Sequence, residues 1–319
     1  MAVLIDTDAG FDDIAALALL AGWCQPDTIR LVTTVHGMCP PQAAPLLVRR
    51  VLVSLGLGAV PVVGGEARAP DGSDVVAAEP WGATYRSRLA AAPELLGLTA
   101  AEPEPEGGSR RSAAEAIIAE AAAAGGATVL ALGALTNVAA AASHAPAEFK
   151  RHVHQVIFQC RCFAGDGGDR PFNARFDASA VQTVLAAGVP VTLVSGAQCY
   201  PSEEWVAAQL GKAMSAGAPA QPDGRTPAVE AAAAMLRALA TAHPASIQYD
   251  PVAAAFFLAP DSFVVQEGCT VHVATDGRMA FDEGGGSGTA VMKAAVAQSL
   301  DMAAFAQLLL LPAPMAPTS

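Results

Sequence analysis

The chain has 319 residues, of which 53% are apolar and 5% aromatic, so it can bury a large core and is globular by composition. Its 30 acidic residues outnumber 18 basic ones and give a net charge of -12. We therefore expect no basic patch that binds a nucleic-acid backbone, and no nucleic-acid partner. The longest apolar runs fall short of the roughly 18 residues that cross a bilayer, and no signal-peptide pattern is present, so we expect a cytoplasmic protein without a membrane partner.

Apolar, β-branched segments alternate with Ala- and Leu-rich segments along most of the chain. The predicted strands span 2–6, 28–35, 60–65, 127–135, 152–160 and 190–196. The predicted helices span 12–22, 40–56, 112–124, 137–143, 177–187, 203–214 and 226–242. This alternation is typical of strand-helix-strand units, and strands that are apolar throughout are buried on both faces. We therefore predict an α/β fold with an open, mostly parallel sheet flanked by helices, as in a Rossmann-like core.

The C-terminal part predicts two more strands and a last helix. Segment 263–281 has the pattern of two strands joined by a turn at Asp276 and Gly277, and a helix is predicted at about 289–310. Loops or lids are predicted at three segments rich in Pro, Gly and acids, 66–80, 101–111 and 215–226. No change in composition divides the chain, so we predict one domain over residues 1–319.

The stretch LIDTDAGFDDIAAL at residues 4–17 concentrates acids at the first strand-to-helix turn, namely Asp6, Asp8, Asp12 and Asp13. In an open parallel sheet, ligands bind where the strands end and the chain leaves for the helices. One acid is enough to cap a helix, whereas four repel one another unless they are protonated or bridged by a cation. Because no His or Cys is clustered with them, these oxygen ligands predict calcium or magnesium.

Two other acidic motifs fit this turn poorly. An EF-hand loop needs a bidentate Glu where Leu17 stands, and it follows a helix rather than a strand. A phosphatase of the haloacid dehalogenase type also begins with a strand that ends in D-x-D. Gly10, however, stands where such enzymes have Thr or Val, and lysines are few.

Five motifs together resemble the inosine-uridine preferring nucleoside hydrolases. They are D-x-D-x-G-x-D-D from Asp6, VTTVHG at 32–37, ALGALTN at 131–137, FNARFD at 172–177 and YDPVAAAF at 249–256. The resemblance implies a calcium-dependent hydrolase of N-glycosidic bonds, in which a metal-bound water attacks the anomeric carbon. It also implies a nucleoside or a related glycoside as the substrate, a role in purine or pyrimidine salvage, and a homodimer or homotetramer.

The resemblance also implies roles for individual residues. The implied calcium ligands are Asp8, Asp13, Asp250 and the main-chain carbonyl of Thr136. Asp8 would in addition take the proton of the attacking water. Asp12 would help to hold the sugar, and Asp6 would orient the turn from behind.

The sequence departs from the family at positions that contact the substrate. Met38 stands where the family has Asn, Pro171 where it has Glu, and Tyr249 where it has His, whereas Asn173 is retained. A further family Asn aligns near Gly165. Because each lost partner of a buried sugar hydroxyl costs about 1–3 kcal/mol, we predict a non-standard substrate, with Met38 and Asn173 in the binding site.

Aromatic and imidazole side chains are the candidates for contact with the leaving base. His36 and Tyr249 are predicted as catalytic groups that act on the base, and Tyr200 is a further candidate by position. Trp81 and Tyr85 are predicted to stack on an aromatic leaving group. The alternatives are a loop histidine without a catalytic task and rings that only pack.

Two functions of different class follow from these observations. The first is the calcium-dependent N-glycosidase, which the retained Asp8 favours because a protein that only binds calcium does not need a base. The second is a catalytically inactive calcium-binding relative that acts as a ligand-binding or interaction protein, which Met38, Pro171 and Tyr249 favour. We expect the enzyme.

Overall fold

The computed structural model describes residues 1–25, 27–100, 111–161, 171–215, 227–282 and 292–309. The strands in these ranges are β1 (Ala2–Thr7), β2 (Ile29–Thr34), β3 (Val62–Gly64), β4 (Ala127–Ala131), β5 (Val153–Gln159), β6 (Val191–Gln198), β7 (Phe263–Val273), β8 (Met279–Asp282) and β9 (Met292–Leu300). They form one sheet in the order β3-β2-β1-β4-β5-β6-β9-β7-β8. The pairs from β3 to β9 are parallel, and only the pairs that involve β7 are antiparallel, so the predicted open, mostly parallel sheet is confirmed.

Helices flank this sheet, and two short 3₁₀ turns at Pro244–Ile247 and Pro260–Ser262 complete the regular structure of the described residues. The helices are α1 (Phe11–Trp23), α2 (Ala44–Ser54), α3 (Val75–Ala78), α4 (Gly82–Ala90), α5 (Ala92–Leu95), α6 (Ala113–Ala123), α7 (Thr136–His144), α8 (Pro146–His152), α9 (Phe172–Phe176), α10 (Ala178–Ala186), α11 (Glu203–Ser215), α12 (Pro227–Ala242), α13 (Asp250–Leu258) and α14 (Met302–Leu309). None of them, within the described ranges, is both long and apolar enough to cross a membrane.

The sheet separates two hydrophobic cores because alternate residues of a strand point to opposite faces. On β1, Val3 and Ile5 pack into one core with helices α1, α12 and α13, whereas Leu4 packs into the other with α6, α7 and α10. The inner strands β1 and β4 are buried along nearly their whole length. Burial on both faces explains why these strands have continuous apolar sequences instead of an alternating pattern.

The C-terminal hairpin is confirmed, but the helix predicted at about 289–310 is wrong. Residues Met292–Leu300 form β9, which lies between β6 and β7, and only Met302–Leu309 are helical. The segment MKAAVAQSL has the Ala content of a helix, but strands on both sides satisfy its backbone groups, and this tertiary pairing outweighs local propensity.

Of the three predicted loops, only segment 66–80 lies wholly within the described residues. Segment 66–80 contains the short helix α3, whose first turn is capped by Asp74 through the Ala77 N–H. Residues 101–110 and 216–226, which make up most of the other two predicted loops, lie outside the described residues, as does Gly165.

The topology places a crevice at the carboxyl end of β1. From β1 the chain proceeds to β2 and β3 on one side, and later adds β4, β5 and β6 on the other side. The loops after β1 and β4 therefore leave the sheet in different directions, and ligands of open α/β sheets bind at such a switch point.

Candidate active site

The turn between β1 and α1 is tight and brings its acids together. Ala9 has a left-handed backbone with φ 58°, which is uncommon for a residue other than Gly and often accompanies a functional turn. The Ala9 N–H donates to Thr7 Oγ1 at 3.0 Å, and the Gly10 N–H donates to Asp13 Oδ2 at 2.8 Å. Thr7 also donates its hydroxyl proton to Asp13, so that side chain is held over the end of β1.

Four carboxylates converge at this turn. Asp12, Asp13 and Asp250 each offer an oxygen within 4.8 Å of the others, and the carboxyls of Asp8 and Asp250 both lie within hydrogen-bonding reach of Asp13. Asp250 comes from the first turn of α13. Asp8, Asp13 and Asp250 are at most 3% exposed. Among the described residues, no Lys or Arg forms an ion pair with any of the four.

The charged form of this cluster is unfavourable by itself. Burial, followed by repulsion from Asp13, raises the pKa of Asp8 and of Asp250 well above the usual range for a carboxyl. The same two causes raise the pKa of Asp12 to about 7. A divalent cation would offset this repulsion, and a donor set made only of carboxylate oxygens fits calcium.

A cavity of about 460 Å³ opens beside the acidic cluster. Its described lining consists of Asp8, Asp12, Met38, Trp81, Leu132, Gln159, Arg161, Phe172, Asn173, Tyr249 and Asp250. A cavity of this size that is lined by both polar groups and aromatic rings is typical of a site for a small molecule.

Most of the predicted site residues line this cavity; Asp13 lies in the acidic cluster beside it, and His36 and Thr136 are not in its described lining. His36 Nε2 lies 3.0 Å from Thr136 Oγ1, and that hydroxyl donates to Asp177 Oδ2 at 2.9 Å. Thr136 is the first residue of α7, where a main-chain carbonyl normally accepts a hydrogen bond within the helix. Leu132, which follows β4, lines the cavity instead.

His36 is buried beside a second cavity of about 410 Å³, which also borders Arg86 and Phe176. Its ring centre lies 5.6 Å from that of Phe176. Burial lowers the pKa of His36, although Asp177 and more distant acids act in the opposite direction. Its described contacts therefore do not bring it to the lining of the first cavity.

Two of the aromatic candidates, Trp81 and Tyr249, line the cavity, and the other two, Tyr85 and Tyr200, pack outside it. Trp81 lines the cavity and is 41% exposed. Tyr85 lies in α4, where its hydroxyl accepts from the Phe11 N–H at 2.9 Å and its ring meets the Phe11 ring edge-on. The Tyr200 hydroxyl donates to the Val194 carbonyl at 2.5 Å.

Asp6 lies behind the acidic cluster and accepts hydrogen bonds from β2 and α7. Its Oδ1 accepts from Thr33 Oγ1 at 2.5 Å and from Asn137 Nδ2 at 2.8 Å, and Asn137 Nδ2 also donates to the Thr34 carbonyl. Burial raises the pKa of Asp6 to about 7. Asn137 has no predicted role in the sequence, although it belongs to the ALGALTN motif.

Four further residues that line the cavity have no role in the sequence prediction: Phe172 in α9, and three residues near strand ends, Leu132, Gln159 and Arg161. Asn173 Nδ2 is close to the Leu132 carbonyl at 2.5 Å and to Gln159 Oε1 at 2.9 Å. Leu132, Gln159 and Arg161 follow or end strands β4 and β5. Their position at the strand ends was the signal that could have identified them.

Arg86 supports the loop that contacts Asp8. Its guanidinium donates to the Met38 carbonyl at 3.2 Å, to the Gly37 carbonyl at 3.0 Å and to both carboxylate oxygens of Asp74. The Met38 N–H in turn donates to Asp8 Oδ2 at 3.0 Å. The loop packs so closely that a Cβ on Gly37 would lie 2.1 Å from that Asp8 oxygen.

A divalent cation held by the acidic cluster would be expected to bind Arg86→Met about tenfold more weakly, because groups behind a ligand typically contribute 10–100-fold to metal affinity. Titration calorimetry with calcium measures this change. Arg88→Met, which removes an exposed arginine from the same helix, is the matched control and is expected to bind calcium like the unaltered chain. Equal calcium affinity in both variants would contradict a supporting role for Arg86.

Comparisons with known proteins agree with this geometry. A family model described as inosine-uridine preferring nucleoside hydrolase matches residues 3–307. The chain is also similar to the solved structure of a purine-preferring ribonucleoside hydrolase from Gardnerella vaginalis, with a TM-score of 0.70 and 19% identity over 98% of this chain and 97% of the other.

Two further solved structures have the same fold. An inosine-uridine preferring nucleoside hydrolase from Bacillus anthracis gives a TM-score of 0.68 at 17% identity, over 98% of this chain and 99% of the other. A plant nucleoside hydrolase gives 0.66 at 21% identity, also over 98% and 99%. No curated protein matches the chain in sequence.

Proposed function

The chain belongs to the inosine-uridine preferring nucleoside hydrolase family and is an N-glycosyl hydrolase, and we propose that it depends on calcium and acts on a non-standard substrate. One observation carries this proposal. Four carboxylates without a basic partner among the described residues converge beside a cavity that is large enough for a nucleoside. Holding them together in charged form requires a cation, and their oxygens suit calcium.

The proposed calcium ligands are Asp8, Asp13 and Asp250, with one main-chain carbonyl. We assign that carbonyl to Leu132 instead of Thr136, because Leu132 lines the cavity whereas Thr136 begins a helix. Bound calcium would supply positive charge that lowers the pKa of a coordinated water and holds sugar hydroxyls.

Asp8 is the proposed general base. The Met38 N–H holds one of its oxygens in place, and with a cation bound the carboxylate would be ionised and able to accept the proton of the attacking water. As the bond between the anomeric carbon and the base nitrogen breaks, the sugar gains positive charge, which the surrounding carboxylates stabilise. Asp12 accepts a hydrogen bond from a sugar hydroxyl, and Asn173, which also lines the cavity, helps to hold the ring.

The lining also supports a substrate that differs from a standard ribonucleoside. Met38 and Phe172 present apolar surface to the cavity, and Pro171, which directly precedes α9, has no donor for a sugar hydroxyl. A buried hydroxyl without a partner is disfavoured by about 1–3 kcal/mol. We propose a nucleoside with a modified sugar, or a related glycoside, as the substrate.

We expect Met38→Asn to raise kcat/KM for standard ribonucleosides about fivefold, since one regained hydrogen bond contributes about 1 kcal/mol. Met38→Leu keeps the apolar surface and is the matched control, with no gain expected. Steady-state rates on inosine and uridine measure the effect. If both variants change the rates alike, the side chain at position 38 does not contact the sugar.

A substrate panel tests the proposed function. Inosine, uridine, adenosine, their 5′-deoxy and 5′-modified analogues and p-nitrophenyl riboside are incubated with the protein and calcium, and the released sugar is quantified. We expect turnover of p-nitrophenyl riboside and at least one modified nucleoside. A folded chain that binds calcium but releases no sugar would instead support the inactive ligand-binding relative.

Family membership also supports three proposals about the protein in solution. We propose one domain over residues 1–319, because strands from β1 to β9 share one sheet. We further propose a homodimer or homotetramer and a cytoplasmic location. Light scattering on the purified protein measures the oligomeric state.

A further inference from the structure

Among the described residues that line the catalytic cavity, Arg161 is the only basic one. It follows the end of β5 by two positions. Its Nη1 donates to the Tyr249 hydroxyl at 2.9 Å, and its guanidinium carbon lies 5.3 Å from the centre of the Tyr249 ring and 5.7 Å from that of Tyr200. The cation therefore lies against two adjacent aromatic rings at the wall of the site.

The direction of the hydrogen bond determines what Tyr249 can do. A guanidinium only donates, so the Tyr249 oxygen accepts from Arg161 and its own O–H is left to donate to another group. Tyr249 lines the cavity and directly precedes Asp250, so a sugar held beside Asp250 would bring its base close to this hydroxyl.

Tyr200 supports this arrangement from outside the cavity. Its hydroxyl is bound to the Val194 carbonyl at 2.5 Å, and its ring centre lies 6.1 Å from that of Tyr249. Because Tyr200 is fixed, it limits the positions that the guanidinium can take. Arg161 thus lies against the Tyr200 ring while it donates to Tyr249.

Hydrolysis of an N-glycoside places negative charge on the leaving group. The water oxygen bonds to the anomeric carbon and its proton passes to Asp8, while the electron pair of the broken C–N bond stays with the departing nitrogen. The base leaves as an anion and later takes a proton from solvent, to which Asp8 returns its own. In a cavity lined by three carboxylates, this anion needs a positive partner.

We propose that Arg161 and Tyr249 together stabilise the leaving group of the N-glycoside. Tyr249 donates a hydrogen bond to the leaving heterocycle, and Arg161 orients that hydroxyl and supplies the positive charge. The inference rests on the proposed function, because it assumes that an N-glycoside is cleaved in this cavity.

The test compares two leaving groups. p-Nitrophenolate departs without assistance, whereas the heterocycle of the best nucleoside in the panel requires it. We expect Arg161→Met and Tyr249→Phe each to lower kcat/KM for the nucleoside at least about tenfold more than for p-nitrophenyl riboside. The double variant is expected to lose no more than Tyr249→Phe alone, because the two residues act as a unit.

Arg88→Met is the matched control, since it removes an exposed arginine that does not line the cavity and is expected to leave the ratio of the two rates unchanged. An equal loss on both substrates, or none, in Tyr249→Phe would overturn the inference even if Arg161→Met fails to fold. If the unaltered chain cleaves neither substrate, the proposed function itself fails. If it cleaves p-nitrophenyl riboside with unchanged ratios in the variants, only this inference fails.

Discussion

Asp8→Asn is expected to lower kcat/KM by about 10²–10⁴-fold, the range in which a positioned general base contributes to catalysis. The amide cannot accept the proton of the attacking water, although it preserves the shape of the side chain. Asp8 is 3% exposed and receives the Met38 N–H, so it is held in one position from which the proton is taken. Steady-state rates with p-nitrophenyl riboside in saturating calcium measure the loss.

Two controls separate this role from general damage. Asp27→Asn removes a carboxylate from an exposed position and is expected to leave the rate unchanged. Thermal melting checks that Asp8→Asn is folded. A folded Asp8→Asn variant that retains full activity would show that another group accepts the proton.

The calcium-free protein is expected to lose stability as the pH rises from about 4 to about 7. Burial raises the pKa of Asp6 and of Asp12 from 3.8 to about 7, and it raises the pKa of Asp8 and Asp250 in the same direction. Between these values the folded chain keeps protons that the unfolded chain releases, so the free energy of unfolding falls with increasing pH. For Asp6 alone a shift of this size corresponds to about 4 kcal/mol.

Denaturant unfolding in the presence of a chelator, at several pH values between 4 and 8, measures this dependence. Saturating calcium is expected to restore stability most strongly at the upper end of the range, because it binds the folded chain when the carboxylates are ionised. Asp6→Asn is expected to flatten the dependence without altering the lining of the cavity. Stability that is constant or rises with pH in the calcium-free protein would contradict the proposed charge state of the cluster.

The sequence predicts the parallel sheet well because strands that are buried on both faces have continuous apolar sequences. Strand β1 was predicted at 2–6 and is observed at Ala2–Thr7, and the other inner strands agree similarly. The failure at β9 has the opposite origin. Its sequence is compatible with a helix, and only the approach of β6 and β7, which are distant along the chain, makes it a strand.

The site residues also differ in how far the sequence alone predicts them. The acidic turn at Asp8, Asp12 and Asp13 is visible in the sequence because its members are neighbours along the chain. Asp250 could be joined to it only through the family resemblance, since its position depends on how α13 packs against α1.

The role of Arg161 could not be predicted from its neighbours in the sequence or from the family resemblance. Its contact with Tyr249 forms only when the end of β5 approaches the start of α13, and no local pattern records that approach. Thr136 illustrates the reverse case, because a residue within a recognisable motif directs its hydroxyl to Asp177 and away from the cavity lining.

Calcium removal tests the central claim most directly. Release of p-nitrophenol from its riboside is followed in the untreated protein, after chelation, and after calcium is added back. We expect chelation to abolish turnover and added calcium to restore it while the chain stays folded throughout. Undiminished turnover in protein that metal analysis shows to be free of calcium would contradict the calcium-dependent mechanism.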